Sequence, residues 1–187
     1  MNDIEDNHSG KAAEGRKDHN VVPMLHFKRL GRELAMQYLF QCDVAGMENF
    51  DQSLDNFWKQ AECSGEFPTN RVFRKARCYA EKIIAGVFEH EMEIDKIIRD
   101  FSARWDIERM PVVDRNIIRV AIYELYYCPD IPSLVSIDEA IEIAKDFSSG
   151  KSGIFINGIL NGVKDSLPPG IKDPAQQRKT ENKEEEH

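Results

Sequence analysis

Three observations predict an all-α fold. Apolar residues recur at intervals of three and four along nearly every segment, and no stretch longer than a few residues alternates as a strand would. The breaks between periodic segments fall at Pro, Gly and short polar runs. With 187 residues, 41% of them hydrophobic, the chain has enough apolar material for one sizeable core, so a single domain is expected.

Taken in order, a first helix follows Pro23 and runs to about Val44, burying Leu30, Leu34, Tyr38 or Leu39, and Cys42, with Ala45-Gly46 closing it. A second carries Phe50, Leu54, Phe57 and Ala61. After CSGEFPTN, a third carries Phe73, Ala76, Ala80, Ile83 and Val87. Ile94, Ile97, Ile98 and Phe101 mark a fourth, which reaches Trp105. A fifth starts near Pro111 with Val113, Ile117, Val120, Ala121 and Leu125, and CPDIP stops it. Ser136 and Glu139 have the spacing of a capping box, which predicts a sixth helix from Ile137 with Ala140, Ile141, Ala144 and Phe147 on its core face. SSGKSG precedes a seventh, SGIFINGILNGV, which Pro168-Pro169-Gly170 ends. Short connections join packed neighbours, so two small packed helical bundles are expected, residues 24–89 and 90–168. Residues 1–23 and 169–187 are too polar to bury much and are read as disordered tails.

Composition excludes several functions. No apolar run approaches the roughly 18 residues of a membrane span, and the polar N-terminus does not resemble a secretion signal, so no membrane association and a cytoplasmic location are expected. Cys42, Cys63, Cys78 and Cys128 form no CxxC pair, and Cys42 and Cys78 fall on apolar faces, where a free thiol behaves as a small hydrophobe. His8, His19, His26, His90 and His187 show no metal-ligand spacing, so neither a metal nor a cofactor is expected. The net charge of −8 argues against a general nucleic-acid binder, although the charge of one face is what matters.

Catalysis finds little support. Asp138, Glu139 and Glu142 open the sixth helix, where acids complement the helix dipole. Asp95, Asp100, Asp106, Glu108 and Asp114 are interspersed with Lys96, Arg99, Arg104, Arg109 and Arg115, the mix of a solvated face. There is no nucleophile paired with a base and no Gly-rich phosphate loop, so no enzyme is expected and no catalytic residue is assigned.

Two stretches point elsewhere. In HFKRLGRELAMQYLFQ, Lys28, Arg29 and Arg32 gather positive charge at a helix start, opposite the Leu30–Leu34 stripe and against the helix dipole. A waiting anionic partner and ordinary solubilising charge, with Arg29–Glu33 as an i,i+4 pair, explain this equally well. In the seventh helix, Asn157 and Asn161 share one side with Gly158 and Gly162 beside them, while Phe155, Ile156, Ile159, Leu160 and Val163 supply the core. Close helix packing is one reading; a shallow floor for a partner backbone or base is the other, and both can hold.

Four segments in order resemble the NusB family of bacterial antitermination factors. KRLGRELAMQYLF is similar to RRxARExAxQxLY, and VVDRNIIRVAIYEL to VDRAILRLAIYEL. DIPSLVSIDEAIEIAKDF is similar to DIPxxVxINEAVELAKxF, and FINGILNGV to FVNGVLDxI. The resemblance implies a seven-helix fold of two bundles and a non-catalytic factor. Such a factor binds boxA-type single-stranded RNA of ribosomal RNA transcripts, together with a ribosomal protein acting as Nus factor E, and helps RNA polymerase read through terminators in an antitermination complex. It further implies RNA contacts at Lys28, Arg29, Arg32, Phe155, Asn157 and Gly158, and partner contacts at Glu108 and Asp114. Leu30, Phe40 and Ile154 depart from the family pattern, each removing a charge or hydrogen bond from the RNA face; Arg71, Arg74, Lys75 and Arg77, in the variable 61–77 region, are candidates to restore part of that charge, and the sequence does not place them on one face. Two rival readings are a helical protein-interaction scaffold and an RNA-binding module related to ribosomal RNA methyltransferases, whose catalytic domain would have to follow where this sequence ends.

Overall fold

The computed structural model describes residues 22–45, 50–65, 71–102, 106–168 and 171. Within them lie seven α-helices and no strand: α1 Val22–Ala45, α2 Phe50–Cys63, α3 Arg71–Glu89, α4 Glu91–Phe101, α5 Val112–Tyr127, α6 Ser133–Phe147 and α7 Ser152–Asp165. A single 3-10 turn, Ile107–Arg109, precedes α5, with Asp106 capping it by accepting from the Glu108 N–H at 3.2 Å. Of the expected tails, Val22 and Pro23 form the start of α1 and the Ile171 N–H donates to the Pro168 carbonyl at 3.3 Å; the rest of both tails, the closure at Gly46, the end of CSGEFPTN and Trp105 lie outside the described residues.

α5 is the axis of the fold. It is buried almost all round, with Ile117, Ile118, Val120, Ala121, Ile122 and Leu125 among its inaccessible residues. α1 packs on α3 and on α5, while α6 packs on α5 and α7, and α4 on both α5 and α7. α2 joins through aromatic contacts, Phe57 meeting Tyr38 edge-on with centroids 5.3 Å apart. Two glycines set the closest crossings. A Cβ on Gly31 would stand 2.8 Å from Tyr79 Cδ1 and 2.9 Å from the Ala76 carbonyl oxygen, and one on Gly86 would stand 2.0 Å from Tyr123 Cε2. α1 and α5 therefore approach α3 at positions where only a hydrogen fits without displacement.

The axis also carries Asp114, Asn116, Arg119 and Glu124, all buried. Burying such groups is costly unless they are paired, and α1 supplies partners at two levels, its middle and its end. At its middle, Arg32 Nε donates to Glu124 Oε1 at 2.7 Å, and Tyr79 Oη donates to the same oxygen at 2.5 Å. At its end, the Asp43 carboxylate accepts from Arg115 Nη2 at 2.9 Å, Arg119 Nη1 at 3.0 Å and Asn116 Nδ2 at 3.0 Å. Arg119 also holds Asp95 of α4 through two bonds of 2.8 Å. Burial alone would raise the Asp43 pKa, but Arg119, with Asn116 and Arg115, holds it below the ordinary carboxylate value.

Several sequence expectations change here. α6 begins at Ser133, after Pro132, a turn before the expected capping box. Ser136 lies inside the helix and is buried, and Phe147, assigned to its core, is 40% exposed. Cys78, expected in the core, is exposed, as is Cys63, while Cys42 is half-buried and Cys128 buried. Asp95 and Arg115, read as part of a solvated face, belong to the ion network around α5.

Candidate nucleic-acid interface

The start of α1 is the first candidate, and its cations are largely occupied. Arg32 is only 3% exposed. Besides Glu124, it faces Glu139 of α6 with Nη1 3.3 Å from Oε2. Burial alone would lower its pKa, but the charge and hydrogen bond of Glu124, then Tyr79 and Glu139, raise it. Arg32 Nη2, Glu124 Oε2 and Ser136 Oγ have no hydrogen-bond partner among the described residues and border a cavity of about 10 Å³, the space of one water-sized sphere.

Arg29 is held by Glu33 at 2.5 Å, by Asp146 at 2.8 Å and, more loosely, by Glu139 at 3.7 Å. Lys28 reaches Asp130 at 3.4 Å and lies 5.6 Å above the Tyr79 ring. The anions answering this patch thus come from the chain itself, and Arg32 is not on an open face as its register against Leu30 and Leu34 suggests. Glu139, expected as a helix cap, is spent on α1.

The α7 candidates are more open. Asn157 and Gly158 are exposed. Asn161 Nδ2 donates to Asn157 Oδ1 at 2.6 Å, which orients that amide on the surface. The glycines differ: a Cβ on Gly158 would meet nothing within 4 Å, whereas one on Gly162 would touch Phe101 Cδ1 at 3.0 Å. Close packing accounts for Gly162 and not for Gly158. Phe155 is half-buried and borders a pocket of about 230 Å³ with Met110, Pro111, Asp114, Lys151 and Ser152.

Of the two partner-contact acids, Glu108 sits in the 3-10 turn with its side chain 78% exposed, loosely paired with Arg115 at 3.9 Å. Asp114 is 2% exposed. It accepts from Ser148 Oγ, and Ser148 and Ser149 each lie 2.9 Å from Ser152 Oγ. Asp114 therefore fastens the α6–α7 connection to α5 rather than presenting a charge outward.

Sequence reasoning noted Arg71, Arg74, Lys75 and Arg77 without giving them a face. The structure divides them. Arg77 turns toward α2, bonding Glu62 at 3.0 Å and Glu81 at 2.9 Å, with its guanidinium 5.0 Å from the Trp58 ring centre. The other three line an open groove of about 680 Å³ with Lys82, Phe27 and Tyr79. The i, i+3/i+4 spacing of 71, 74/75, 78 and 82 was the available signal; the aromatic wall from α1 was not visible.

Among the described residues, no helix is long and apolar enough to cross a membrane, and no group of three His, Cys, Asp or Glu side chains is placed to hold a metal ion.

Comparison with known proteins agrees with this architecture. The model of the NusB family matches residues 29–165. The transcription antitermination protein NusB of Geotalea daltonii is 41% identical over 144 residues, covering 75% of this chain and 96% of its own length. That of Bacillus cereus strain B4264 is 39% identical over 140 residues, covering 75% of this chain and 98% of its own. Among solved structures, T. maritima NusB superposes with a TM-score of 0.63 at 33% identity, over 76% of this chain and 93% of that one. NusB in a complex of antitermination factors NusB and NusE with dsRNA also gives 0.63, at 22% identity over 77% of this chain and 100% of that one, a likeness of fold. The chain belongs to the NusB family.

Proposed function

We propose that this member of the NusB family is a transcription antitermination factor. In this reading it binds boxA-type single-stranded RNA of ribosomal RNA transcripts jointly with a ribosomal protein acting as Nus factor E, and so promotes read-through by RNA polymerase in the antitermination complex. The observation that carries it is the 41% identity to an antitermination protein over 96% of that protein's length. The action is binding without catalysis, in the cytoplasm.

Exposed Asn157 and Gly158, half-buried Phe155 and the partly accessible Lys28 and Arg29 are the residues offered to RNA. Glu108 is offered to the protein partner, being the more accessible of the two acids. Arg32 and Asp114 support these surfaces from behind, one fixing α1 on α5 and the other fixing the start of α7. Phe155 stacks on a base, a contact worth about 1–3 kcal/mol by alanine substitution.

One observation favours the scaffold reading, in which the protein binds only protein: the α1 cations are already paired with acids of the chain. Titration of the full chain with a boxA RNA and a scrambled control, at two salt concentrations and with or without the purified ribosomal protein, separates the two. Antitermination requires preference for boxA and a partner-dependent gain of about 5- to 150-fold. Equal, weak binding to both RNAs with no gain from the partner selects the scaffold.

A further inference from the structure

α3 carries a stripe that the family reading does not use. Arg71, Arg74, Lys75 and Lys82 are all exposed and recur along one helical face, and none of them makes an ion pair among the described residues. Among the described residues, no acid lines the groove they border. Its far wall is aromatic: Phe27 of α1 meets Tyr79 of α3 edge-on, with centroids 6.3 Å apart. Lys75 Nζ lies 5.6 Å from the Phe27 ring centre, and Lys28 Nζ the same distance from that of Tyr79.

Tyr79 is anchored at its hydroxyl by Glu124, and Gly31 lets α1 close on its ring edge, so the aromatic wall is fixed before anything binds. Unpaired cations along a groove, with rings set among them, have the chemistry of single-stranded nucleic acid: phosphates track the charges and bases stack on the rings. An acidic protein segment would satisfy the cations but would leave the rings without a matching partner.

We infer that the α1–α3 groove lined by Arg71, Arg74, Lys75, Lys82, Phe27 and Tyr79 is a second single-stranded RNA surface. Resting on the RNA-binding reading above, it takes transcript flanking the recognised element, without base specificity. Lys28 borders both surfaces, so one strand can pass from the start of α1 onto α3.

The test uses the full chain and three RNAs: a boxA RNA alone, and the same RNA carrying an eight-nucleotide oligouridylate tract on its 5′ or its 3′ end. At least one extended RNA binds about tenfold more tightly than boxA alone, with a salt slope steeper by about two. The Arg74→Gln/Lys75→Gln variant loses this gain while its affinity for the short RNA is unchanged. Alkylation of Cys78, whose thiol lies in the groove, slows when the extended RNA binds, and alkylation of exposed Cys63 does not.

If neither extension adds affinity, or the variant weakens short and extended RNAs equally, or Cys78 is not protected, the groove is not an RNA surface. Displacement of an extended RNA by polyglutamate at lower concentration than by oligouridylate overturns it in favour of an acidic protein partner. If boxA and scrambled RNAs bind alike while the oligouridylate gain and Cys78 protection persist, the groove stands and sequence-specific recognition falls.

Discussion

The basic start of α1 and the basic stripe of α3 look alike as sequence, KRLGR beside RVFRKAR, yet they have opposite fates. Each cation of the first meets an acid of the chain: Lys28 with Asp130, Arg29 with Glu33 and Asp146, Arg32 with Glu124. In the second, Arg77 alone is so matched among the described residues; Arg71, Arg74 and Lys75 border an open groove. What separates them is the neighbour. α1 packs on α5, which brings the buried Glu124 to it, and its arginines reach Glu139 and Asp146 of α6, while among the described residues no carboxylate lines the groove face of α3. A run of positive charge is therefore a joint or a surface depending on which helix the fold lays across it.

Graded substitution breaks or sharpens this contrast. The largest effect is expected at Arg32→Ala, which leaves the Glu124 carboxylate buried with Tyr79 as its remaining hydrogen-bond donor. Removing one member of a buried pair costs about 3–5 kcal/mol, measurable by urea denaturation, and a loss under 1 kcal/mol would make Arg32 a surface residue in practice.

Asp43→Asn is expected next, at about 1.5–3 kcal/mol from lost hydrogen bonds to charged groups. Because the folded pKa of Asp43 is lowered, its contribution is present above the unfolded value of about 3.9 and is lost as pH falls through the folded value. The gap between wild type and variant should therefore narrow below about pH 4, and a gap independent of pH would exclude Asp43 as its source. Gly31→Ala forces a methyl onto Tyr79 and the Ala76 carbonyl and should cost about 1–3 kcal/mol, read as a lower midpoint in thermal melting.

Arg29→Gln, with the wild-type side chain 22% exposed among three acids, should cost no more than about 1 kcal/mol, less at high salt. Arg74→Gln should change stability by less than about 0.5 kcal/mol. If Arg74→Gln proves as damaging as Arg29→Gln, the distinction between joint and surface fails.

The helices were legible because burial repeats with the helical period; all seven were visible in the spacing of Leu, Ile, Val and Phe. The start of α6 was not. Ser136 and Glu139 have capping-box spacing, but Pro132 lets the helix begin at Ser133, and Glu139 is drawn to Arg32 across a tertiary contact. The burial of Arg32 and Asp114 was hidden for the same reason, since Glu124 lies 92 residues from Arg32 and Ser148 lies 34 from Asp114. Local pattern shows which residues carry charge, and only the fold shows which charges face one another. Phe155 was placed both in the core and on the RNA face, and half-burial beside a pocket is compatible with both.

The two links between α1 and α5 have opposite polarity. α1 offers a cation at its middle and an anion at its end, and α5 offers arginines early and a carboxylate late, so the antiparallel docking pairs unlike charges at both places. Reversing α1 would set Arg32 against Arg115 and Arg119, and Asp43 against Glu124. Sliding it by one turn, about 5.4 Å, would unpair both links together. Apolar stripes alone tolerate such slips, since one leucine packs much like the next. The two links therefore act as a vernier, allowing a single register between the first helix and the central one and penalising misassembled bundles during folding.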